Sequence, residues 1–229
     1  MIKHPHIVVF AATVLACLMA LEAKAGFQDV CDPAQAERAM YHVTLWDEEG
    51  NKYSIGSAVA VSPDEAITAE HVAIKAPSEP FDDSEEFEYT LSVSPYAISD
   101  RAFPTYTIKT DDTLDLALIG GKFEHHLEIA QKIPHHLQKV YTLGFPYIGD
   151  IHDTGRLNGT MIWDTGYYQG QSVLGEYITT AKTLPGGSGG PLLVCEDGEF
   201  KVLGINVKYY SYITYSTTAG AVEYFIDEL

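Results

Sequence analysis

TLPGGSGGPLLV, residues 183–194, supports two opposed readings. Glycine and serine between prolines make a flexible linker. The same residues also make a backbone that can wrap tightly around a reactive serine, because glycine alone reaches the dihedrals such a turn needs. The flanks separate the two. Leu192, Leu193 and Val194 follow at once, and KVLGINV (201–207) comes a few residues later. Two strongly β-prone apolar runs so close together embed the stretch in a folded core.

The first 25 of the 229 residues read as a secretory signal. A short segment carrying Lys3 precedes the apolar run Ile7–Leu21, and Ala23-Lys24-Ala25 offers an Ala-x-Ala cut site. A second cut, before Cys17 in Val14-Leu15-Ala16-Cys17, would resemble a lipoprotein signal. Removing residues 1–25 leaves 204; with Lys3, Lys24 and Glu22 gone, the formal charge moves from −18 to −19. Such acidity repels nucleic acid and anionic membranes, so neither is expected as a partner. Cys31 and Cys195 remain, and in an exported chain they are candidates for one disulfide closing a long loop.

Short β-rich segments recur along the chain: 40–46, 52–62, 65–69, 89–98, 115–120, 139–145, 155–163, 176–181, 190–194, 201–210 and 213–222. Polar turns such as Asp47-Glu48-Glu49-Gly50-Asn51 separate them. That pattern predicts an all-β sandwich or pair of barrels. Segment 123–138 mixes helical and loop character and suits a bridge between two halves. Glu223–Leu229 suits a short terminal helix.

A serine cannot attack a peptide carbonyl unaided at neutral pH. It needs a base, a carboxylate that fixes the base's tautomer, and donors for the developing oxyanion. His71 follows an apolar run, Asp115 directly precedes LALI, and Ser188 centres the glycine loop. Asp111 and Asp112 rival Asp115. The pairs His125-His126 and His135-His136 suggest a metal less than a solvated surface, since no carboxylate or cysteine spacing accompanies them. The acidic run EPFDDSEEFE (79–88) offers calcium ligands or a solvated loop.

Three motifs stand in order: Gly-Ser-x-x-x-x-Ser with Thr-Ala-x-His-Val (56–72), Asp-Leu-Ala-Leu-Ile (115–119) and Gly-x-Ser-Gly-Gly-Pro (186–191). The catalytic candidates are 44 and 73 residues apart. In these motifs, over residues 52 to 222, the chain resembles the chymotrypsin-like serine proteases, nearest the bacterial secreted and HtrA-type branch. The resemblance implies two six-stranded Greek-key β-barrels with the site between them. It divides the chain into a signal (1–25), a first barrel (26–125), a linker (126–138), and a second barrel with its terminal helix (139–229). It implies a secreted or periplasmic endopeptidase acting on protein or peptide substrates, without metal or organic cofactor. Ser188 becomes the nucleophile, His71 the general base, Asp115 the orienting carboxylate, and the N–H groups of Gly186 and Ser188 the oxyanion hole.

Departures from the family pattern carry expectations too. Gly187 stands where digestive members place an Asp that pairs with a new N-terminus, so that activation step is not expected. Glu70 replaces a common Ala beside the base, and its charge is expected to raise the pKa of His71. No protein-binding domain follows Leu229, unlike the full HtrA architecture. The primary pocket is expected to involve Lys182, Asn206, Tyr209 and a back wall at Gly220, with Val207, Lys208 and Tyr209 pairing with the substrate backbone. Lys182 stands where trypsin-type members place an Asp, so the pocket reading favours small or medium uncharged side chains. An acid-preferring enzyme and a catalytically silent binding module on the same fold stay open.

Overall fold

Alternation along the strands fixes the architecture. In LALIG (116–120) every residue is buried, yet successive side chains serve different cores. Leu116 and Leu118 join one cluster with Met40, Val59 and Ile67, while Ala117 and Ile119 join another with Val43, Leu45, Ala58 and Ala66. Side chains alternate between the faces of a strand, so a strand apolar on both faces must be covered on both. One face here fills a barrel and the other meets a second barrel.

The structure is a computed structural model that describes residues 30–46, 48–50, 52–74, 90–95, 101–146 and 160–228. The expected signal (1–25) and the acidic run 79–88 lie outside the described residues. Strands β1 (Met40–Trp46), β2 (Lys52–Ala60), β3 (Glu65–Thr68), β4 (Thr90–Pro95), β5 (Phe103–Asp111) and β6 (Leu116–Gly120) form one closed antiparallel barrel in the order β1-β2-β3-β6-β5-β4. Strands β7 (Lys139–Gly144), β8 (Ile162–Gln171), β9 (Tyr177–Thr179), β10 (Pro191–Glu196), β11 (Glu199–Tyr210) and β12 (Ile213–Ser216) form a second, ordered β10-β11-β12-β9-β8-β7. Closure removes free sheet edges, which would otherwise template aggregation.

The cluster of Leu116 and Leu118 also holds Leu143, Leu193, Val202 and Ile205 from the second barrel. It is therefore the seam between barrels. Each fully buried Leu or Ile there contributes roughly 1.5–3 kcal/mol. The connecting chain docks first on one barrel and then on the other: Leu127 N–H donates to Ala60 O at 3.0 Å and Ala130 N–H to Val202 O at 2.8 Å.

Two helices differ from the sequence expectations. Helix α1 (Pro33–Arg38) starts at Asp32, whose carboxylate accepts from Ala34 N–H, with Pro33 in the first turn. Residues 26–125 are grouped by sequence with the first barrel, yet α1 sits on the second. Phe200 N–H donates to Gln35 Oε1 at 2.8 Å and Trp163 Nε1–H to Glu37 Oε1 at 2.9 Å. Cys31 and Cys195 are disulfide-bonded, with Cα atoms 5.8 Å apart. A short α2 (Glu70–Ala73) follows β3. The terminal helix α3 (Ala219–Asp227) begins earlier than expected because Thr218 caps it, accepting from Ala221 N–H at 3.2 Å. Its first turn takes up the end of the expected strand 213–222, and Val222 and Phe225 reach the seam.

Candidate active site

His71 lies in α2, directly after β3, and Asp115 ends the turn from β5 into β6. Because β3 pairs with β6, Thr68 opposite Ala117, the two turns emerge side by side. The Asp115 carboxylate meets the His71 ring at Nδ1, 2.7 Å from Oδ2 and 3.0 Å from Oδ1, and it accepts the His71 backbone N–H at 3.1 Å. Glu70 N–H donates to Asp115 O at 3.2 Å. Asp115 holds a left-handed backbone, φ 52°, a conformation Asp tolerates better than most residues. The rivals are occupied elsewhere. Asp111 accepts Leu114 N–H at 2.9 Å and Asp112 accepts the Thr113 hydroxyl at 3.3 Å. An Nδ1–H donated to the carboxylate leaves Nε2 as the ring's proton acceptor.

The glycine loop runs from β9 into β10, and its glycines serve geometry. Gly186 and Gly189 have φ of 86° and 80°. A Cβ at Gly189 would fall 2.2 Å from Ser57 O and from Thr68 Oγ1, so the loop lies directly against the strand end that leads to His71. Ser57 N–H donates to Ser188 O at 2.8 Å. A Cβ at Gly56 would strike Val72 and stand 3.1 Å from Ser188 O, placing the helix of His71 and the serine backbone on either side of that glycine. Gly189 N–H donates to Asn206 O and Asn206 N–H to Gly190 O, both at 2.8 Å, tying the loop to β11. Among the described residues no hydrogen bond joins Ser188 Oγ to His71. Free enzymes commonly tighten that contact only when substrate binds.

Burial pushes the Glu70 carboxyl above its ordinary range; a hydrogen bond with Thr110 opposes the shift, and the charges of Asp112, Asp115 and Asp111 add to it. His125, His126, His135 and His136 are exposed, and among the described residues no three His, Cys, Asp or Glu side chains gather as a metal site.

The expected pocket residues divide. Asn206 is fully buried; its amide donates to Pro191 O at 3.2 Å and accepts the Ser216 hydroxyl at 2.9 Å. Val207 is buried, while Lys208 and Tyr209 are exposed, and Lys208 pairs with Glu176 at 2.5 Å. Lys182 donates its backbone N–H to Asp164 and stacks its ammonium 4.7 Å over the exposed Tyr212 ring. Its charge is thus at the surface. A cavity of about 210 Å³ lies between the loop residues Lys182, Leu184 and Gly187 and the strand residues Thr142, Trp163 and Asp164. Gly220 is a correction. It lies exposed in the first turn of α3, where an added Cβ meets nothing within 4 Å, so it walls no pocket. Thr214 is fully buried on β12 and accepts the N–H of Thr183, a residue that lines the cavity, at 2.9 Å.

Comparison with known proteins agrees with the two-barrel fold. The family described as trypsin-like peptidase domain matches residues 56–205. A serine endoprotease from Yersinia pestis is similar in structure, with TM-score 0.64 and 20% identity over 85% of this chain. The match spans 64% of that protein's chain, less than two thirds. Rv3671c from M. tuberculosis H37Rv, an inactive serine-to-alanine form, gives TM-score 0.61 and 18% identity over 86% of this chain and 92% of its own. No curated protein matches the sequence.

Proposed function

The chain belongs to the trypsin-like peptidase domain family, and we propose that it is a serine endopeptidase whose chemistry is carried by Ser188, His71 and Asp115. The observation that carries this reading is the His71–Asp115 contact at 2.7 Å beside the glycine loop. Ser188 Oγ attacks the scissile carbonyl, and His71 Nε2 takes its proton and returns it to the leaving amine. Asp115 holds the tautomer and stabilises the imidazolium. The N–H groups of Gly186 and Ser188 stabilise the oxyanion, and water then resolves the acyl-enzyme by the same path in reverse.

Substrate adds a strand to β11. β10 pairs with β11 only as far as Ile205, and the loop bonds to Asn206, so from Val207 onward one edge of β11 is open beside Ser188. β12 occupies the other edge, with a register shift at Val207. Main-chain bonds to Val207–Tyr209 supply affinity whatever the side chains. Specificity falls to the cavity between Thr142, Trp163 and Asp164 on the strands and Lys182, Leu184 and Gly187 on the loop, with Tyr209 exposed nearby on β11. The carboxylate in that lining, Asp164, already accepts the Lys182 backbone N–H, and Lys182 itself adds a cation beside it, so small or medium uncharged side chains are favoured over Arg or Lys. The chain works outside the cytoplasm. The signal-like residues 1–25 and the Cys31–Cys195 bond support this. Among the described residues no helix is long and apolar enough to cross a membrane.

The rival reading is a catalytically silent binding module on the same fold. A fluorophosphonate separates them. Mass spectrometry is expected to find the adduct on Ser188 alone, whereas an unlabelled folded protein favours the module. Peptides differing only before the scissile bond test the pocket. Fastest cleavage after Arg or Lys contradicts it, and fastest cleavage after Glu promotes the acid-preferring enzyme.

A further inference from the structure

In the second half of β2, the run SAVA (57–60) begins with a polar residue at a fully buried position. Ser57 spends every polar atom. Its hydroxyl donates to Gly186 O at 2.9 Å and accepts Phe145 N–H at 2.8 Å. Its N–H donates to Ser188 O at 2.8 Å, and its carbonyl accepts the Thr68 hydroxyl at 2.7 Å. One residue of the first barrel therefore grips two carbonyls of the glycine loop, which belongs to the second.

Those carbonyls are the ones that matter for donor geometry. The proposed donors, the N–H groups of Gly186 and Ser188, flank the peptide unit between Gly186 and Gly187. Its carbonyl is held by the Ser57 hydroxyl and its N–H by Leu184 O at 2.7 Å. With both ends fixed, that plane cannot rotate, so the two planes that carry the donors hinge from a fixed unit, and the plane of the Ser188 N–H is held again where Gly187 O accepts Gly190 N–H at 3.0 Å. Glycines at 186 and 187 otherwise leave those planes free to swing. The site is also tight. A Cβ at Gly144 would stand 3.1 Å from Ser57 Oγ, and one at Gly190 3.3 Å from Ser57 Cβ.

We propose that Ser57 is the positioning residue of the oxyanion hole, holding the Gly186 and Ser188 carbonyls outward so that the two N–H donors stay aimed at the developing charge. The proposal rests on the Ser188 reading above. Preorganisation of this kind acts on the transition state more than on bound substrate, so it moves kcat rather than KM.

The test uses the full chain and a peptide that the wild type cleaves. Removing an oxyanion donor outright costs about 100- to 1,000-fold in kcat; in Ser57→Ala, where the donors remain but lose their anchor, kcat falls about 10- to 100-fold and KM moves less than about 2-fold. The rate of fluorophosphonate labelling falls in parallel. Thr44→Val serves as control. It also removes a buried hydroxyl from the first barrel, one bonded only to His42, and it lowers the melting temperature while leaving kcat in place. A folded Ser57→Ala protein with wild-type kcat overturns the proposal, as does an equal kcat loss in Thr44→Val. If Ser57→Ala does not fold, Ser57→Cys takes its place, because a thiol is a weaker donor of similar shape. There a kcat loss of about 5-fold or more supports the proposal and wild-type kcat overturns it. Turnover retained in Ser188→Ala would instead strike the underlying reading, so the two failures are distinct.

Discussion

Acid is expected to destabilise this protein through a residue away from the triad. His42 lies on β1, is 2% exposed, and faces Ser57 and Ser94 across the neighbouring strands. Its ring packs edge-on against Phe145 with centroids 5.7 Å apart, and its Nδ1 lies 3.3 Å from the Thr44 hydroxyl. Burial, with a smaller contribution from the Lys52 charge, lowers its pKa from 6.5 to about 4. Between those values the unfolded chain binds a proton at His42 that the folded chain does not, so stability is complete above pH 6.5 and is lost as pH falls toward 4. At about 1.4 kcal/mol per pKa unit the loss is roughly 3 kcal/mol, a large share of an ordinary folding free energy. Glu70 acts in the opposite sense, because its raised pKa makes protonation favour the folded state. The assay is denaturant unfolding from pH 7.5 to 4 in a Ser188→Ala background, which removes autolysis. His42→Gln, which cannot titrate, is expected to flatten the decline by most of that 3 kcal/mol. Parallel stability curves for the two proteins refute the reasoning.

Three further outcomes follow from the same contacts. Asp115→Asn keeps the shape of the turn but cannot hold the required His71 tautomer, so kcat is expected to fall about 10⁴-fold with KM little changed; kinetics on the peptide substrate checks it. The Cys31–Cys195 bond closes a loop across 164 residues, for which the chain-entropy account gives roughly 5 kcal/mol as an upper value. Denatured, unreduced protein is expected to show no free thiol at these positions, and Cys195→Ala is expected to lower the denaturation midpoint; two titratable thiols contradict the pairing. Gly189→Ala, with φ 80° and no room toward Ser57 or Thr68, is expected to lose both stability and turnover, read by melting and by hydrolysis.

What was legible from the sequence was what is local. His71, Asp115 and Ser188 each sit in a motif a few residues long, and the strands with buried faces announce themselves as apolar runs. Features set by distant partners were harder to read. Strand β5 (Phe103–Asp111) escaped because Pro104 and the mixed residues around it lack the apolar run of a covered strand, and its faces are only partly buried. Helix α1 carried a readable signal in Asp32-Pro33, a cap followed by a first-turn proline, but six residues give little helical period. Its seat on the second barrel depends on Phe200, Trp163 and Cys195, far away in sequence. Thr218 is a readable cap for α3, but ITYSTTAGAV (213–222) also has the β-rich composition of a strand, and the cap's bond to Ala221 N–H decides between them. The role of Ser57 is not legible locally, since its bonds to Gly186 and Phe145 span 129 and 88 residues.

The central claim is that Ser188 is the nucleophile, and the most direct measurement pairs hydrolysis with thermal unfolding of Ser188→Ala. Ser188 is half-buried and its hydroxyl is one small group, so its loss leaves no large cavity. The melting temperature is expected to stay near that of the wild type, while peptide hydrolysis falls by about 10⁴- to 10⁶-fold. A folded Ser188→Ala protein that cleaves at the wild-type rate would contradict the account.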